Sequence, residues 1–395
     1  MSAIDELLLG MRTPGALAGK RFTGLALAGR DLAGADLSGA LLFACDLTKA
    51  RLDGARLVGA ALVGVKLAGA SLRKADLSSV RAPAVDLSGA DLEEAVLTGA
   101  LLAKANLAGA RLARARIDGA RLDAAKLAGA DLEGATITKS SLSAADLTGA
   151  RLDGAALEDV MFTSASLVDA DLAGAKLTGV VLVKCDLRGA RLPRALTRVL
   201  LEDVTFGDGG APPFAGVTLE GASLGGMNLR GADLKGTRFV RCSLAKADLS
   251  GADLAGASFA RCDLSGANLE GVDLSGHLLE MNLFSRANLS RARLVGAQLK
   301  KCVLEGANLE GADFTRATLE QVGLKRARLE GVVLERATLR RVDLGGADLT
   351  RVPLKGLSLP QCVFRKANLS GADLSGADLS DTRLSGATLT NANLE

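Results

Sequence analysis

Tryptophan and tyrosine are absent from this 395-residue chain, histidine occurs once, and aromatic residues make up 3% of it. Without aromatic platforms, stacking on the bases of single-stranded nucleic acid is argued against. One histidine cannot build the usual two- or three-histidine metal sites, and no paired-cysteine motif replaces them. No run of about 18 apolar residues is present, so no membrane span is expected. Charge of one sign is lacking too: 48 Lys and Arg face 45 Asp and Glu, a net of +3. The start, Met1-Ser2-Ala3-Ile4-Asp5-Glu6-Leu7, lacks the basic residues of a signal peptide, and a cytoplasmic location is the expectation.

What is present is repetition. Ala247-Asp248-Leu249-Ser250-Gly251 is followed at once by Ala252-Asp253-Leu254-Ala255-Gly256, and similar five-residue copies run from Leu17 to Leu394. Such self-similarity lets a chain grow in one direction and bury a continuous core at any length. A helix of 3.6 residues per turn would spread every fifth leucine around its circumference, and a flat strand would send them to alternating faces. A chain that turns a corner every five residues points the leucine and the small residue two before it inward. Four sides make a coil of about 20 residues, and coils stack at the spacing of paired strands, roughly 4.8 Å.

The A-(D/N)-L-x-x pattern resembles the pentapeptide-repeat family. That resemblance implies an all-β fold, a right-handed quadrilateral parallel β-helix or solenoid. It also implies possible roles: protection of a topoisomerase (DNA gyrase) by DNA mimicry, or an accessory adaptor in a bacterial secretion system. DNA mimicry demands a strongly negative surface, which the charge balance does not offer.

Along the chain, residues 1–16 are expected to form a short N-terminal capping helix and turn, with Ser2 and Asp5 as a capping box. A first array spans 17–192, with Ala82 beside Pro83 as its one lapse. An insertion at 193–213 breaks the phase, carrying Pro193 and the turn residues of Gly207-Asp208-Gly209-Gly210-Ala211-Pro212-Pro213. A second array spans 214–395. One continuous rod of 18 or 19 coils, about 90 Å long, is expected. Ala392-Asn393-Leu394-Glu395 completes a repeat, which suggests a homodimer formed through that coil.

Residues 20 apart should stack. Cys242, Cys262, Cys302 and Cys362 then share one inward column, and Cys45 and Cys185 are seven coils apart. Stacked thiols form a row, not a tetrahedron, so they are read as core fillers without metal, and disulfides are not expected in the cytoplasm. On one outer side Asp31, Arg51, Ser71, Asp91, Arg111, Asp131, Arg151, Asp171 and Arg191 form a ladder that avoids like-charge repulsion. In the second array, Asn228, Asn268, Asn288, Asn308 and Asn368 form a polar counterpart.

Function is sought where the pattern departs from itself. Leu41, Phe43, Val63, Leu101, Met161, Val181 and Val183 occupy outward positions usually held by polar residues, a candidate protein-contact strip. Leu278, Leu283 and Val303 make a second candidate, beside His277 and Asn282 at inward sites normally held by Ala. A lone histidine there is read as a corner filler and not a base. Arg241, Arg261, Lys301 and Arg341 form a basic ladder at one corner, and Lys246, Arg286, Arg326 and Lys366 recur at the next. With Glu280, Glu305 and Glu320 close by, these are read as solvated charge, and nucleic acid is disfavoured as a partner.

No catalytic constellation is found. Gly15-Ala16-Leu17-Ala18-Gly19-Lys20-Arg21 is one residue short of a phosphate loop, and Gly207-Asp208-Gly209 lacks the third glycine of a dinucleotide motif. The expectation is a rigid, non-enzymatic scaffold for protein–protein interaction, with no cofactor and no membrane partner.

Overall fold

A computed structural model describes residues 15–206 and 212–395. The expected capping helix at residues 2–11 and the turn at 207–211 lie outside the described residues. The chain divides into two compact units, Met1–Gly209 and Gly210–Glu395. Each is an all-β parallel solenoid, and no helix occurs among the described residues.

The 20-residue coil is seen directly in the register. In the first unit Phe22 pairs with Leu42 and Leu42 with Leu62, while Ile117 pairs with Ile137 and Ile137 with Leu157, all in parallel. Bridges at Ala26–Asp46, Asp31–Arg51 and Asp36–Arg56 complete the four sides of a coil. In the second unit Leu219, Phe239, Phe259, Leu279, Leu299, Leu319 and Leu339 stack in one column. Paired segments are only three residues long, because the chain must turn between them; Arg21–Thr23 and Leu278–Glu280 are examples.

The core follows from this register. Each repeat contributes one large and one small side chain to the interior, so Leu27, Leu52, Ala90 and Leu249 have no solvent exposure. Identical neighbours meet face to face: the Phe239 and Phe259 rings stack with centroids 4.8 Å apart and planes within 3°. The corners use a residue of positive φ, supplied by glycine or by an unbranched residue such as Lys246 (φ 61). The stretch from Pro193 onward keeps coiling with one residue fewer. Leu196 pairs with Leu177, Leu200 with Val181 and Thr205 with Asp186, each 19 residues apart instead of 20.

The cysteines do more than fill space. All six are free and buried. At most corners the small residue's N–H reaches back three residues, as from Ala252 to the Leu249 carbonyl at 3.0 Å. At the corners that follow the three-residue strands this bond is often missing, which leaves a carbonyl and an N–H facing the interior. The next coil repairs the gap. Cys242 Sγ donates to the Leu219 carbonyl at 3.1 Å, and Cys302 Sγ to that of Leu279 at 3.1 Å. Burial pushes the Cys302 and Cys362 thiols up to about 11, so both keep the proton they donate. Ser140 reaches both ends of the gap, accepting from Ala120 N–H at 3.0 Å, with its one hydroxyl proton shared between Ile117 O at 3.2 Å and Thr138 O at 2.8 Å.

Candidate protein-contact faces

In-register stacking turns each sequence position into a straight outward column, so a face is set by what recurs every 20 residues. The acid–base ladder of the first unit is one such face. Arg51 pairs with Asp31 at 3.2 Å, Arg111 with Asp91 at 3.4 Å and Arg191 with Asp171 at 2.8 Å. On the same side the buried Glu93 carboxylate is held by Arg73, Arg111 and Arg114. The polar column of the second unit is a hydrogen-bonded chain: Asn268 donates to Asp248 at 2.9 Å, Asn288 to Asn268 at 3.0 Å and Asn308 to Asn288 at 3.1 Å. On both faces these polar groups bond to one another from coil to coil.

The apolar residues of the first unit do share one side, in two patches. In the first, Leu41 pairs with Ala61 and Phe43 with Val63. Phe43 and Val63 are 44% and 45% exposed; Leu101, 39% exposed, stands two coils beyond Ala61 with the exposed Arg81 between them. The second patch pairs Met161, 47% exposed, with Val181, and Val181 with Leu200. Val183 lies beside them, half-buried like Val181. Arg121, Asp123, Ser141 and Ser143 separate the patches, so the single strip expected from the sequence is divided. Leu200 was missed because the short coil moves it into this column one residue early.

The second candidate patch is not one surface. Leu283 bridges Val303 on one side of the coil, whereas Leu278 pairs with Gln298 on the neighbouring side. Met281, at a positive-φ corner, stands between them. Leu278 is 59% exposed and Leu283 43%, while Val303 is half-buried. Val333, 41% exposed, is a further outward aliphatic that the sequence reading did not single out, although it replaces Asp in its column.

Asn282 and His277 both reach into the previous coil. Asn282 is fully buried, accepting from Cys262 N–H at 2.7 Å and donating to Phe259 O at 2.9 Å. The His277 ring lies between the Ser275 and Leu254 carbonyl oxygens, at 3.2 and 3.1 Å. Arg241, Arg261, Lys301 and Arg341 occupy positive-φ corners in one exposed column. Among the described residues no group of three or more His, Cys, Asp or Glu is placed to hold a metal ion. Among them, too, no helix is long and apolar enough to cross a membrane.

The repeat register and the inward Leu–Ala pairs match the family described as pentapeptide repeats, over segments that run from 21–59 to 155–194 and from 214–251 to 358–395. The chain belongs to the pentapeptide-repeat family. No curated protein sequence matches it. Among solved structures, this pentapeptide-repeat chain is similar to HetL, described as involved in heterocyst differentiation regulation in the cyanobacterium Nostoc. Identity there is 32%, covering 65% of this chain and 94% of HetL, with a TM-score of 0.22. Rfr23 from the cyanobacterium Cyanothece shares 27% identity over 34% of this chain and 91% of its own, at a TM-score of 0.22. QnrB1, described as a plasmid-mediated fluoroquinolone resistance protein, shares 22% over 52% and 94%, at a TM-score of 0.18. Membership rests on the repeat match itself.

Proposed function

We propose that this pentapeptide-repeat protein is a non-enzymatic, cytoplasmic scaffold that binds a protein partner through the apolar side of its first unit. The observation that carries this reading is the in-register pairing of Phe43 with Val63, both more than 40% exposed. Seven other phenylalanines are fully buried. Exposed aliphatic and aromatic side chains held in line by a rigid backbone lose little entropy on docking, which favours recognition over loose association.

A topoisomerase-protecting DNA mimic would need a face of one negative sign. One face of the first unit alternates Asp with Arg, and the charged positive-φ corners of the second unit are basic apart from Asp381, so this reading stands behind the scaffold. Nothing on the surface favours a secretion adaptor in particular.

Affinity capture and light scattering on the full chain test the proposal, with Phe43→Asp plus Val63→Asp in one variant and Met161→Asp plus Val183→Asp in another. Loss of a captured partner, or of self-association, with one pair assigns the contact to that patch. Unchanged partners and unchanged mass with both pairs would remove this side from consideration.

A further inference from the structure

A different surface, on the second unit, carries an inference of its own. One side of that unit is built from nine six-residue segments, 221–226 through 381–386, at 20-residue intervals. They hold eleven Lys or Arg and four Asp or Glu, a net of +7, whereas the remainder of residues 212–395 sums to −4. The unit is therefore polarised across its width.

The cations frame this side. Arg261, Arg286, Lys301, Arg326, Arg341 and Lys366 follow one per coil and alternate between its two corner columns. The position across from each is uncharged: Gly266, Met281, Gly306, Gln321, Gly346 and Gln361. The glycines sit at positive φ, +66 at Gly306 and +67 at Gly346, with the stems of Arg286 and Arg326 packed beside them. Alternation keeps like charges farther apart than a single column would. All six side chains are exposed. Of the eleven cations only two make ion pairs among the described residues, Arg241 with Glu220 and Lys325 with Asp343. On the first unit's ladder, by contrast, arginines are matched with acids rung by rung.

Inside this frame lie aliphatic side chains. Leu283, 43% exposed, bridges Val303, and Met281 stands at the adjoining corner. We propose that this side is a peripheral docking surface for an anionic lipid bilayer, with the cations on headgroup phosphates and carboxylates and Leu283 and Val303 against the interface. Three features favour a bilayer. The parallel columns make a level face that meets a planar partner along its length. The backbone is already paired from coil to coil, as in Asp263 N to Cys242 O at 2.9 Å and Leu264 N to Leu283 O at 2.6 Å, so an extended acidic peptide finds no free strand edge. Asp263 in the column of Leu283 and Glu305 on the turn beside Gly306 would oppose a phosphate backbone, but a bilayer surface offers cationic headgroups to receive them. The expectation of no membrane partner rested on the lack of a spanning segment, which a surface of this composition does not require.

The test is co-sedimentation of the full chain with phosphatidylcholine vesicles, with and without phosphatidylserine. The variant combines Arg261→Gln, Arg286→Gly, Lys301→Gln and Arg326→Gly, each exchange taking a residue that the same column already carries elsewhere. Wild type should bind the phosphatidylserine vesicles selectively and lose binding as salt is raised. The variant should bind roughly a hundredfold more weakly. Its thermal unfolding, measured alongside, separates lost binding from lost structure, and Leu283→Ser supplies a second variant with every cation retained. Equal binding to neutral vesicles would overturn the proposal, as would unchanged binding by the folded quadruple variant. Tighter binding of duplex DNA or polyglutamate than of vesicles at the same salt would also overturn it.

Discussion

Asn282 reaches back 23 residues to donate its Nδ2 to the carbonyl oxygen of Phe259 at 2.9 Å. The turn from Phe259 to Cys262 lacks its own closing bond, and Asn282 supplies both missing partners by accepting from Cys262 N–H as well. Ser140 plays the same part for Ile117 and Ala120, and the cysteines play half of it. The inward corner site is thus a hydrogen-bonding position as well as a packing one.

Asn282→Ala should therefore destabilise the second unit by about 1–3 kcal/mol, the cost of stranding a buried donor and acceptor. Asn282→Cys, which restores the donor alone, should recover part of that loss. Urea unfolding of the two variants measures the difference; equal stability of Asn282→Ala and wild type would refute the bridging role.

Leu249→Ala is expected to cost about 2–5 kcal/mol. Leu249 has no solvent exposure and is clamped above and below by the same residue type, so the coil cannot collapse onto the vacancy. The check is a thermal melt against Ser250→Ala, an outward exchange expected to be far milder.

At Gly266 the backbone φ is +67, and a Cβ would stand 3.5 Å from Lys246 Cγ. A β-branched residue is strained in that conformation, so Gly266→Val should cost about 1–2 kcal/mol. The reverse exchange in the same column, Lys246→Gly, removes an L-residue from the left-handed region and should leave stability unchanged or slightly raised. A drop with Lys246→Gly comparable to that with Gly266→Val would contradict the steric account.

Acid should weaken the fold through its turns. Ser38 donates its hydroxyl to Asp36 at 2.6 Å and its N–H at 3.1 Å. Thr48 does the same for Asp46 and Ser380 for Asp378, with the hydroxyl as the larger influence, and all three carboxyls are held below the ordinary value of 3.8. A folded value below the unfolded one means that this contribution is complete above the unfolded value. It is lost as pH falls through the folded values. The urea midpoint should be level from about pH 7 to pH 5 and fall below about pH 4. A level midpoint down to the lowest pH at which the chain stays dispersed would count against these turns.

The candidate faces were legible in the sequence only in part. Adding 20 to a residue number places Val63 beside Phe43 without any structure, because the coil length is constant there. The same arithmetic fails across Pro193, where one residue is lost and Leu200 takes the place beside Val181. Proximity in number also misled: Leu278 and Leu283 are five residues apart yet lie on different sides of a corner, since five residues is the length of a side.

By itself the sequence determined the architecture. Five-residue spacing of Leu and Ala has one economical burial, a four-cornered coil with both residues inside, and dozens of copies demand it together. It determined the columns as well, since a constant coil converts numbering into position. Only the tertiary structure decided which turns close their own hydrogen bond and which leave a carbonyl for Cys242, Ser140 or Asn282. That choice depends on the coil beneath, 23 residues away. The structure also decided which cations find an acid within reach. Arg191 meets Asp171 at 2.8 Å, whereas Arg286 and Arg326 meet none among the described residues. Ion pairing depends on where long side chains lie across a corner, and the repeat pattern does not specify that.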